Sequence, residues 1–363
     1  MISPSVRVLT LSLAATFVVA ASGRTQTPGG VIHTVEIPAP SLRGNLLGDA
    51  DKRAVSIYLP ADYARHPARR YPVIYLLHGF AADNRAFIAG VYSNLNIRVS
   101  MDSLIAAGKV RPMIVVTPNA RNRFDGSFYV NSPTTGNWED FVVHDLVRYI
   151  DRHFRTIATR SGRGLAGHSM GGYGTLYIGM RNPTVFSAIY ALSPCCLDTN
   201  AHETPAVRRA WRKVLAVRDT SEIRTVGFIP NIIMALAAVY SPDPARPPFF
   251  VDYPVSLAGD SVVVDSAIAA RWKPPLKLVD QYQANLRREK IGFDAGRQDA
   301  FPDIPVNVQA LDAKLTALGI PHIAELYDGD HVRGVRGRLE NVVLPFFSQN
   351  LAGGKASRRP GRE

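Results

Sequence analysis

Gly167-His168-Ser169-Met170-Gly171 fits the Gly-x-Ser-x-Gly motif, in which a serine occupies a strained turn between a strand and a helix. Small residues at both ends of the motif let neighbouring backbone approach the turn closely. The short apolar stretch 164–166 precedes it, as the end of a buried strand would. Helical spacing follows it, at Tyr173, Leu176, Tyr177 and Met180. We therefore predict a nucleophile elbow at Ser169, and the alternative is a structural serine in a glycine-rich turn.

The ends of the 363-residue chain differ in composition from its middle. Residues 1–21 combine one positive charge with an apolar run and a Val19-Ala20-Ala21 ending, which is typical of an export signal peptide. The run is short for a membrane span, although a retained anchor is the alternative. We expect an exported protein, periplasmic or extracellular, with no transmembrane span in the mature chain. Residues 352–363 predict a disordered basic tail.

The net charge of +12 raises the question of an acidic partner. Nucleic-acid binding would require basic residues interleaved with aromatic residues on one face, and the sequence has no such pattern. A solvated basic exterior is the simpler interpretation. Cys195 and Cys196 are adjacent, so we expect two reduced side chains, although a strained bridge stays open. There is no Cys/His cluster with zinc spacing, and we expect no metal and no cofactor.

Short apolar runs alternate with helical patterns, which is typical of an α/β fold with a mostly parallel sheet between helices. We predict strands at residues 31–37, 54–59, 73–77, 113–117, 165–167, 188–192, 291–293 and 323–327. We predict helices at residues 138–154, 170–181, 306–318 and 335–351. This is the layout of an α/β-hydrolase domain over residues 31–351. An insertion at about 197–290 breaks the alternation before the penultimate strand, and we interpret it as a cap over the site, with a peripheral subdomain as the alternative.

A serine nucleophile needs a base and an acid that orients the base, in the chain order Ser, Asp or Glu, His. His331 directly follows the last predicted strand and is our candidate base, whereas His322 lies at the other end of that strand. Asp299 follows the preceding strand and is our candidate acid, with Asp294 as the alternative. Asp328 and Asp330 are interpreted as turn residues.

The tetrahedral intermediate needs two N–H donors for its oxyanion. Met170 supplies one candidate because it follows the serine at the start of a helix. Phe80 supplies the other, in the loop that begins Leu77-His78-Gly79. We interpret His78 as a structural residue that orients this loop through its ring nitrogens.

Residues 54–79 include Tyr58-Leu-Pro and Tyr71-Pro-Val-Ile-Tyr-Leu-Leu-His-Gly. With Gly-His-Ser-Met-Gly-Gly, Gly296-Arg-Gln-Asp and the late histidine, they resemble the putative-esterase family of α/β-hydrolases. That family includes esterase D (S-formylglutathione hydrolase), feruloyl esterases, enterochelin esterases and mycolyltransferases. The resemblance implies a nucleophile at Ser169, an acid at Asp299, a base at His331, and oxyanion donors at Phe80 and Met170.

These observations predict a secreted serine carboxylesterase that forms an acyl-enzyme on Ser169. We expect its substrate to be a small-molecule ester or an ester linked to a lipid or a polysaccharide. Two groups of aromatic residues would suit an aromatic or lipid acyl group, although core packing explains them equally well: Phe249, Phe250 and Tyr253, and Phe124, Phe128 and Tyr129. The alternatives are an acyltransferase to a sugar or lipid hydroxyl, a thioester hydrolase of the S-formylglutathione type, and a catalytically inactive binding protein. The sequence leaves the acyl group, the alcohol and the oligomeric state open.

Overall fold

Eight strands form the central sheet in the order β1-β2-β4-β3-β5-β6-β7-β8. The strands are Val31–Pro38 (β1), Lys52–Leu59 (β2), Val73–Leu77 (β3), Ile114–Pro118 (β4), Arg163–His168 (β5), Ala188–Leu192 (β6), Lys290–Gly296 (β7) and His322–Tyr327 (β8). β2 is antiparallel to both β1 and β4, and the other neighbours pair in parallel. All eight predicted strands are confirmed, with small shifts at their ends.

The computed structural model describes residues 29–198, 204–259 and 261–353. The helices are Ile97–Ala106 (α1); the consecutive segments Trp138–Asp140, Phe141–Leu146 and Val147–His153 (α2); Met170–Arg181 (α3); Pro205–Ala216 (α4); Phe228–Tyr240 (α5); Ser266–Ala269 (α6); Pro275–Leu286 (α7); Asp303–Ala317 (α8); and the consecutive segments Val335–Arg338, Leu339–Val343 and Leu344–Asn350 (α9). The middle segments of α2 and α9 are π-helical. The predicted signal peptide lies outside the described residues, as does the predicted tail beyond residue 353.

The central strands are buried on both faces, because every residue of β3, β4 and β6 is buried. Alternate side chains of β3 enter two different cores. Tyr75 and Leu77 join one core with α2, α3, α8 and most of the insertion, and Ile74 and Leu76 join a second core with α1 and α9. Continuous apolar strands are the expected sequence of a parallel sheet covered on both sides. The predicted α/β-hydrolase architecture is therefore confirmed.

Helix α1 was not predicted. Its side chains at Ile97, Met101 and Leu104 are buried in the second core. The Asn96 side chain accepts hydrogen bonds from the backbone N–H groups of Arg98 and Val99 and caps the helix. That N-cap is the sequence signal that could have indicated the helix.

The insertion between β6 and β7 contains α4, α5, a small antiparallel hairpin (Val255–Ala258 with Ser261–Val264), α6 and α7. Its interior is aromatic. The Trp211 ring lies 5.9 Å from the Tyr253 ring and 6.3 Å from the Trp272 ring, which stacks on Tyr240 at 5.6 Å. Helix α4 packs against α5, and α7 packs against α3. The insertion therefore has its own core and rests on the helix that begins after Ser169.

Candidate active site

Ser169 lies on a sharp turn between β5 and α3, with φ 56° and ψ −116°. This left-handed conformation costs on the order of 1–3 kcal/mol for a residue with a side chain. The turn is tight enough that a Cβ at Gly167 would overlap the carbonyl of Gly171, and a Cβ at Gly171 would overlap the carbonyl of Leu77. Glycine is required at both positions because of these close approaches.

Two hydrogen bonds hold the turn against the strand beside it. The Ser169 N–H donates to the Leu192 carbonyl at 3.0 Å, and the Cys195 N–H donates to the Ser169 carbonyl at 3.3 Å. Ser169 is half-buried and lines a cavity, whereas its sequence neighbours His168 and Met170 are buried. The turn therefore presents the serine, alone of the three, to the cavity.

His331 and Asp299 lie in the loops that follow β8 and β7. The Nδ1–H of His331 donates to Asp299 Oδ2 at 2.7 Å, and the side chains are 11% and 0% exposed. The other carboxylate oxygen of Asp299 accepts from the Phe301 N–H at 2.9 Å, and the Phe301 ring contacts the His331 ring edge-on at 5.0 Å. The imidazole is thus oriented by a buried acid and packed against an aromatic ring.

His168 joins this pair to the elbow. Its Nε2–H donates to the His331 carbonyl oxygen at 2.7 Å, and the two rings are 4.7 Å apart. Burial and the nearby His331 hold the pKa of His168 well below its ordinary value, so the ring is neutral. The residue that precedes Ser169 therefore fixes the loop that carries His331.

Asp294, the alternative acid, lies elsewhere. Its carboxylate accepts from Arg338 Nε at 2.8 Å and from the Tyr190 hydroxyl at 3.0 Å. Burial raises the pKa of Asp294 to about 6, although Arg338 acts in the opposite direction. The structure pairs Asp294 with an arginine and Asp299 with His331.

The remaining candidates of the late strands occupy turns or the far end of the sheet. Asp330 Oδ1 accepts from the Val332 and Arg333 N–H groups at 2.9 and 2.6 Å. Asp328 is exposed and lies 3.6 Å from an arginine. His322 bonds to Asp312 at 2.8 Å, at the end of β8 opposite to His331.

Phe80 and Met170 lie close together beside the serine. The backbone of Gly126 sits against both side chains, and Gly79 lies next to the Ser169 side chain. In the part of the chain that the structure describes, neither the Phe80 N–H nor the Met170 N–H donates to a backbone carbonyl in a turn or loop. Met170 is the first residue of α3, where the helix dipole favours negative charge.

His78 holds the loop that carries Phe80. Its Nε2 accepts from the Ala120 N–H at 2.9 Å, which requires the proton to be on Nδ1, and Nδ1 donates to the Gly79 carbonyl at 2.8 Å. Burial lowers the pKa of His78 to about 4. The Tyr129 hydroxyl donates to the His78 carbonyl at 3.0 Å. These contacts suit a structural histidine.

Tyr92 is a positioning residue that the sequence did not indicate. Its hydroxyl accepts from the Gly79 N–H at 3.1 Å, and its ring contacts His168 edge-on at 4.7 Å. It lies 13 residues beyond Gly79 in an irregular loop, so no periodic pattern marks it. Tyr92 connects the loop of Phe80 to the histidine that holds His331.

A cavity of about 550 Å³ opens beside Ser169. Its walls are largely apolar and come from the insertion and the loops around the site, and they include Phe80, Val207, Trp211, Phe228, Ile229, Ile232, Ile233, Leu236, Trp272 and Phe301. Cys195 and Cys196, both free thiols, also line it. Asp198, Thr204 and Asp303 contribute polar groups.

Of the two interpretations of the aromatic groups, the structure supports core packing. Phe124, Phe128 and Tyr129 are completely buried in the main core. Phe249, Phe250 and Tyr253 pack against the same core. The aromatic residues that line the cavity are Phe80, Trp211, Phe228, Trp272 and Phe301. They come from five separate segments, which only the folded chain brings together.

In residues 29–198, 204–259 and 261–353, no three His, Cys, Asp or Glu side chains are grouped so that they could hold a metal ion. Over the same residues, no helix combines the length and the apolar character needed to cross a membrane.

The profile of the Esterase family, whose description is "Putative esterase", matches residues 50–335. Among curated proteins, the chain is 32% identical over 137 residues to an endo-1,4-beta-xylanase/feruloyl esterase of Xylanibacter ruminicola, covering 37% of this chain and 18% of the relative. It is 37% identical over 126 residues to esterase Rv1288 of Mycobacterium tuberculosis, covering 34% and 25%. The chain thus spans a quarter or less of the length of these relatives.

Solved structures of esterases share the fold over nearly the whole chain. A ferulic acid esterase aligns with a TM-score of 0.61 and 22% identity, covering 89% of this chain and 99% of the other. An S-formylglutathione hydrolase from Agrobacterium tumefaciens aligns with a TM-score of 0.58 and 17% identity, covering 89% and 96%. At these identities the likeness shows the fold, and the family match covers most of the chain. The chain belongs to the Esterase family and has the α/β-hydrolase fold.

Proposed function

We propose that this chain is a serine esterase in which Ser169 is the nucleophile, His331 the general base and Asp299 the orienting acid. One observation carries the proposal. The buried hydrogen bond of 2.7 Å between His331 Nδ1 and Asp299 is tied through His168 to the elbow that presents Ser169 to an apolar cavity. A serine on a strained turn, together with an imidazole that a hydrogen-bonded carboxylate orients, is the arrangement that activates a serine hydroxyl.

The reaction follows from the positions of the protons. With Nδ1–H directed at Asp299, Nε2 of His331 is the nitrogen that accepts the Ser169 proton as Oγ attacks the ester carbonyl. The N–H groups of Phe80 and Met170 stabilise the oxyanion. His331 then protonates the leaving alcohol, and the acyl-enzyme forms. Water then attacks the acyl carbon while His331 accepts its proton, and His331 returns that proton to Ser169 Oγ as the acid leaves.

The cavity supports a proposal for the substrate class. A volume of about 550 Å³ with apolar walls would enclose a bulky hydrocarbon or aromatic group attached to the ester. Most of its walls are insertion residues, so we propose that the insertion acts as the predicted cap and determines the choice of acyl group. A formyl group is too small to fill this cavity, and the charged glutathione portion does not match its apolar walls. The cavity therefore favours a carboxylic ester with a large acyl group over formyl thioester hydrolysis.

We also propose that the protein is exported. This proposal rests on the sequence of residues 1–21 alone, which lie outside the described residues. Cell fractionation followed by amino-terminal sequencing tests it. A mature chain that begins shortly after Ala21 supports export, and an intact amino terminus in the cytoplasm contradicts it.

The enzymatic proposal is tested by ester hydrolysis in Ser169→Ala and His331→Ala, with the exposed residues Ser103 and His66 changed to Ala as matched controls. We expect each site variant to lose on the order of 10⁶-fold in kcat, with the controls unchanged. Activity near the native level in folded Ser169→Ala would contradict the proposal. Product analysis with an added alcohol separates the alternatives, because an acyltransferase would make a new ester and a hydrolase only the free acid.

A further inference from the structure

The mouth of the cavity has exposed apolar side chains. Phe228 and Ile229, at the start of α5, line the cavity and are 50% and 39% exposed. The Phe228 ring packs on Phe80 at 5.6 Å and on Phe301 at 6.0 Å, so it stands directly beside the site. Large apolar side chains that remain exposed at a site entrance indicate a surface that something covers.

A basic helix face adjoins this mouth. The first turn of α4 lines the cavity through Thr204, Ala206 and Val207. The outward face of the same helix carries four exposed basic residues, Arg208, Arg209, Arg212 and Lys213. Within the described part of the chain, Arg208, Arg209 and Lys213 have no carboxylate partner within 4.0 Å. We call Arg208, Arg209, Arg212 and Lys213 the basic face.

The hairpin beside α4 adds a second apolar element. Its two strands pack against α4, and Leu257 and Val264, which share one face of the hairpin, are 46% and 45% exposed. A short strand pair with outward apolar side chains is a liability in water unless another surface covers it. The basic face therefore lies next to two exposed apolar elements, one of them at the entrance to the site.

We propose that this region is a docking surface for an anionic lipid layer, with the basic face on the head groups and the apolar side chains of the mouth and the hairpin in the hydrocarbon boundary. Basic side chains beside exposed Phe, Ile and Leu are the composition of an interfacial membrane-binding surface. A second copy of the chain is disfavoured because it would bring two basic faces together. An acidic polysaccharide would satisfy the charges and leave the apolar side chains uncovered.

Docking would place the cavity mouth at the lipid surface. An acyl chain could then enter the apolar cavity without crossing water, and its ester would reach Ser169. This link to catalysis rests on the proposed function, whereas docking itself does not. Ser169→Ala is therefore expected to bind lipid like the native chain, so the two proposals can fail separately.

Vesicle flotation at physiological ionic strength tests the proposal, with vesicles of phosphatidylcholine alone or mixed equally with phosphatidylglycerol. We expect the native protein to bind only the anionic vesicles. Arg208→Glu/Arg209→Glu should weaken binding by ~25-fold or more, since each basic residue near such a surface contributes about fivefold. Leu257→Asp should also weaken binding, because it places a charge in the apolar boundary.

The control is Arg65→Glu/Lys109→Glu, which makes the same charge change at exposed positions outside the insertion. Because the chain carries a net charge of +12, this control separates a specific surface from general attraction. Hydrolysis of a soluble ester by the Arg208/Arg209 variant should match the native rate and report correct folding.

Four results would overturn the proposal. The first three are equal loss of binding in the variant and its control, no binding of the native protein to anionic vesicles, and a stable dimer in sedimentation that Leu257→Asp dissociates. Binding to soluble polygalacturonate that is as strong as binding to anionic vesicles would likewise assign the surface to a polysaccharide.

Discussion

His168 donates a hydrogen bond from Nε2 to the carbonyl oxygen of His331, at 2.7 Å. The bond joins the residue before the elbow serine to the residue of the proposed base, across 163 positions of the chain. Because burial holds the pKa of His168 well below its ordinary value, the contact is a hydrogen bond between uncharged groups at neutral pH. The second residue of the Gly-x-Ser-x-Gly motif thus positions the base.

Replacing His168 tests this positioning role. His168→Leu removes the donor and should lower kcat by about 10²-fold, because small displacements of catalytic groups have effects of that size. His168→Gln keeps an N–H donor and should retain more activity than His168→Leu. Steady-state kinetics at equal folded fraction, checked by circular dichroism, provides the comparison. Equal activity in both variants would show that the bond does not position His331.

Asp299 and Asp294 are both buried, so the same substitution at each position provides a matched comparison. Asp299→Asn should lower kcat by about 10⁴-fold, since the amide no longer selects the correct imidazole tautomer. Asp294→Asn should leave kcat nearly unchanged in the folded protein. It should instead destabilise the fold by about 1–3 kcal/mol, because Arg338 loses a buried charged partner. Kinetics and denaturant unfolding on both variants check this, and the reverse pattern would reassign the acid to Asp294.

Filling the cavity should change the choice of acyl group. Ile232 lines the cavity, so Ile232→Trp should reduce kcat/KM for long-chain or aromatic acyl esters by at least about tenfold, the range for misfit in an apolar pocket. Turnover of the acetyl ester should persist. Val306→Trp, at an exposed position on α8, controls for the added ring. An equal loss of kcat/KM on acetyl and long-chain esters would show that the cavity does not determine the choice of acyl group.

Glu289 should make stability depend on pH. Burial raises its pKa from 4.5 to about 8, so the folded state holds the proton more tightly than the unfolded state. Glu289 therefore favours folding below pH 4.5, and this contribution is lost as the pH rises towards 8. Glu289→Gln stays neutral and should gain stability over the native chain across that interval, by at most about 1.4 kcal/mol per unit of the shift.

Urea unfolding between pH 5 and pH 8, expressed as the difference between native and variant protein, measures this effect. Glu36→Gln on the exposed edge strand is the control. If the difference in unfolding free energy between native and variant protein stays constant from pH 5 to pH 8, the pKa of Glu289 is not raised.

The sequence predicted the parts of the molecule that follow from local pattern. β3 and β6 are uninterrupted apolar runs, because each is buried on both faces, and their predicted limits match the structure. The hydrogen bond between Asp299 and His331 agrees with the chain order Ser, Asp or Glu, His, which led to the choice of both residues in the loops after the last two strands.

Other features depend on contacts between distant segments. Trp211, Phe228 and Trp272 meet at the cavity only because the insertion folds on its own aromatic core. Tyr92 acts through one hydroxyl in an irregular loop. No periodicity in the sequence marks either arrangement, so neither was predicted.

Labelling with a fluorophosphonate tests most directly whether Ser169 is an activated nucleophile. We predict one covalent adduct per folded chain, located on Ser169 by peptide mass spectrometry, absent in Ser169→Ala and formed more slowly in Asp299→Asn. Ser103→Ala should label like the native chain. Folded protein that forms no adduct, or forms it on a residue other than Ser169, would contradict the account.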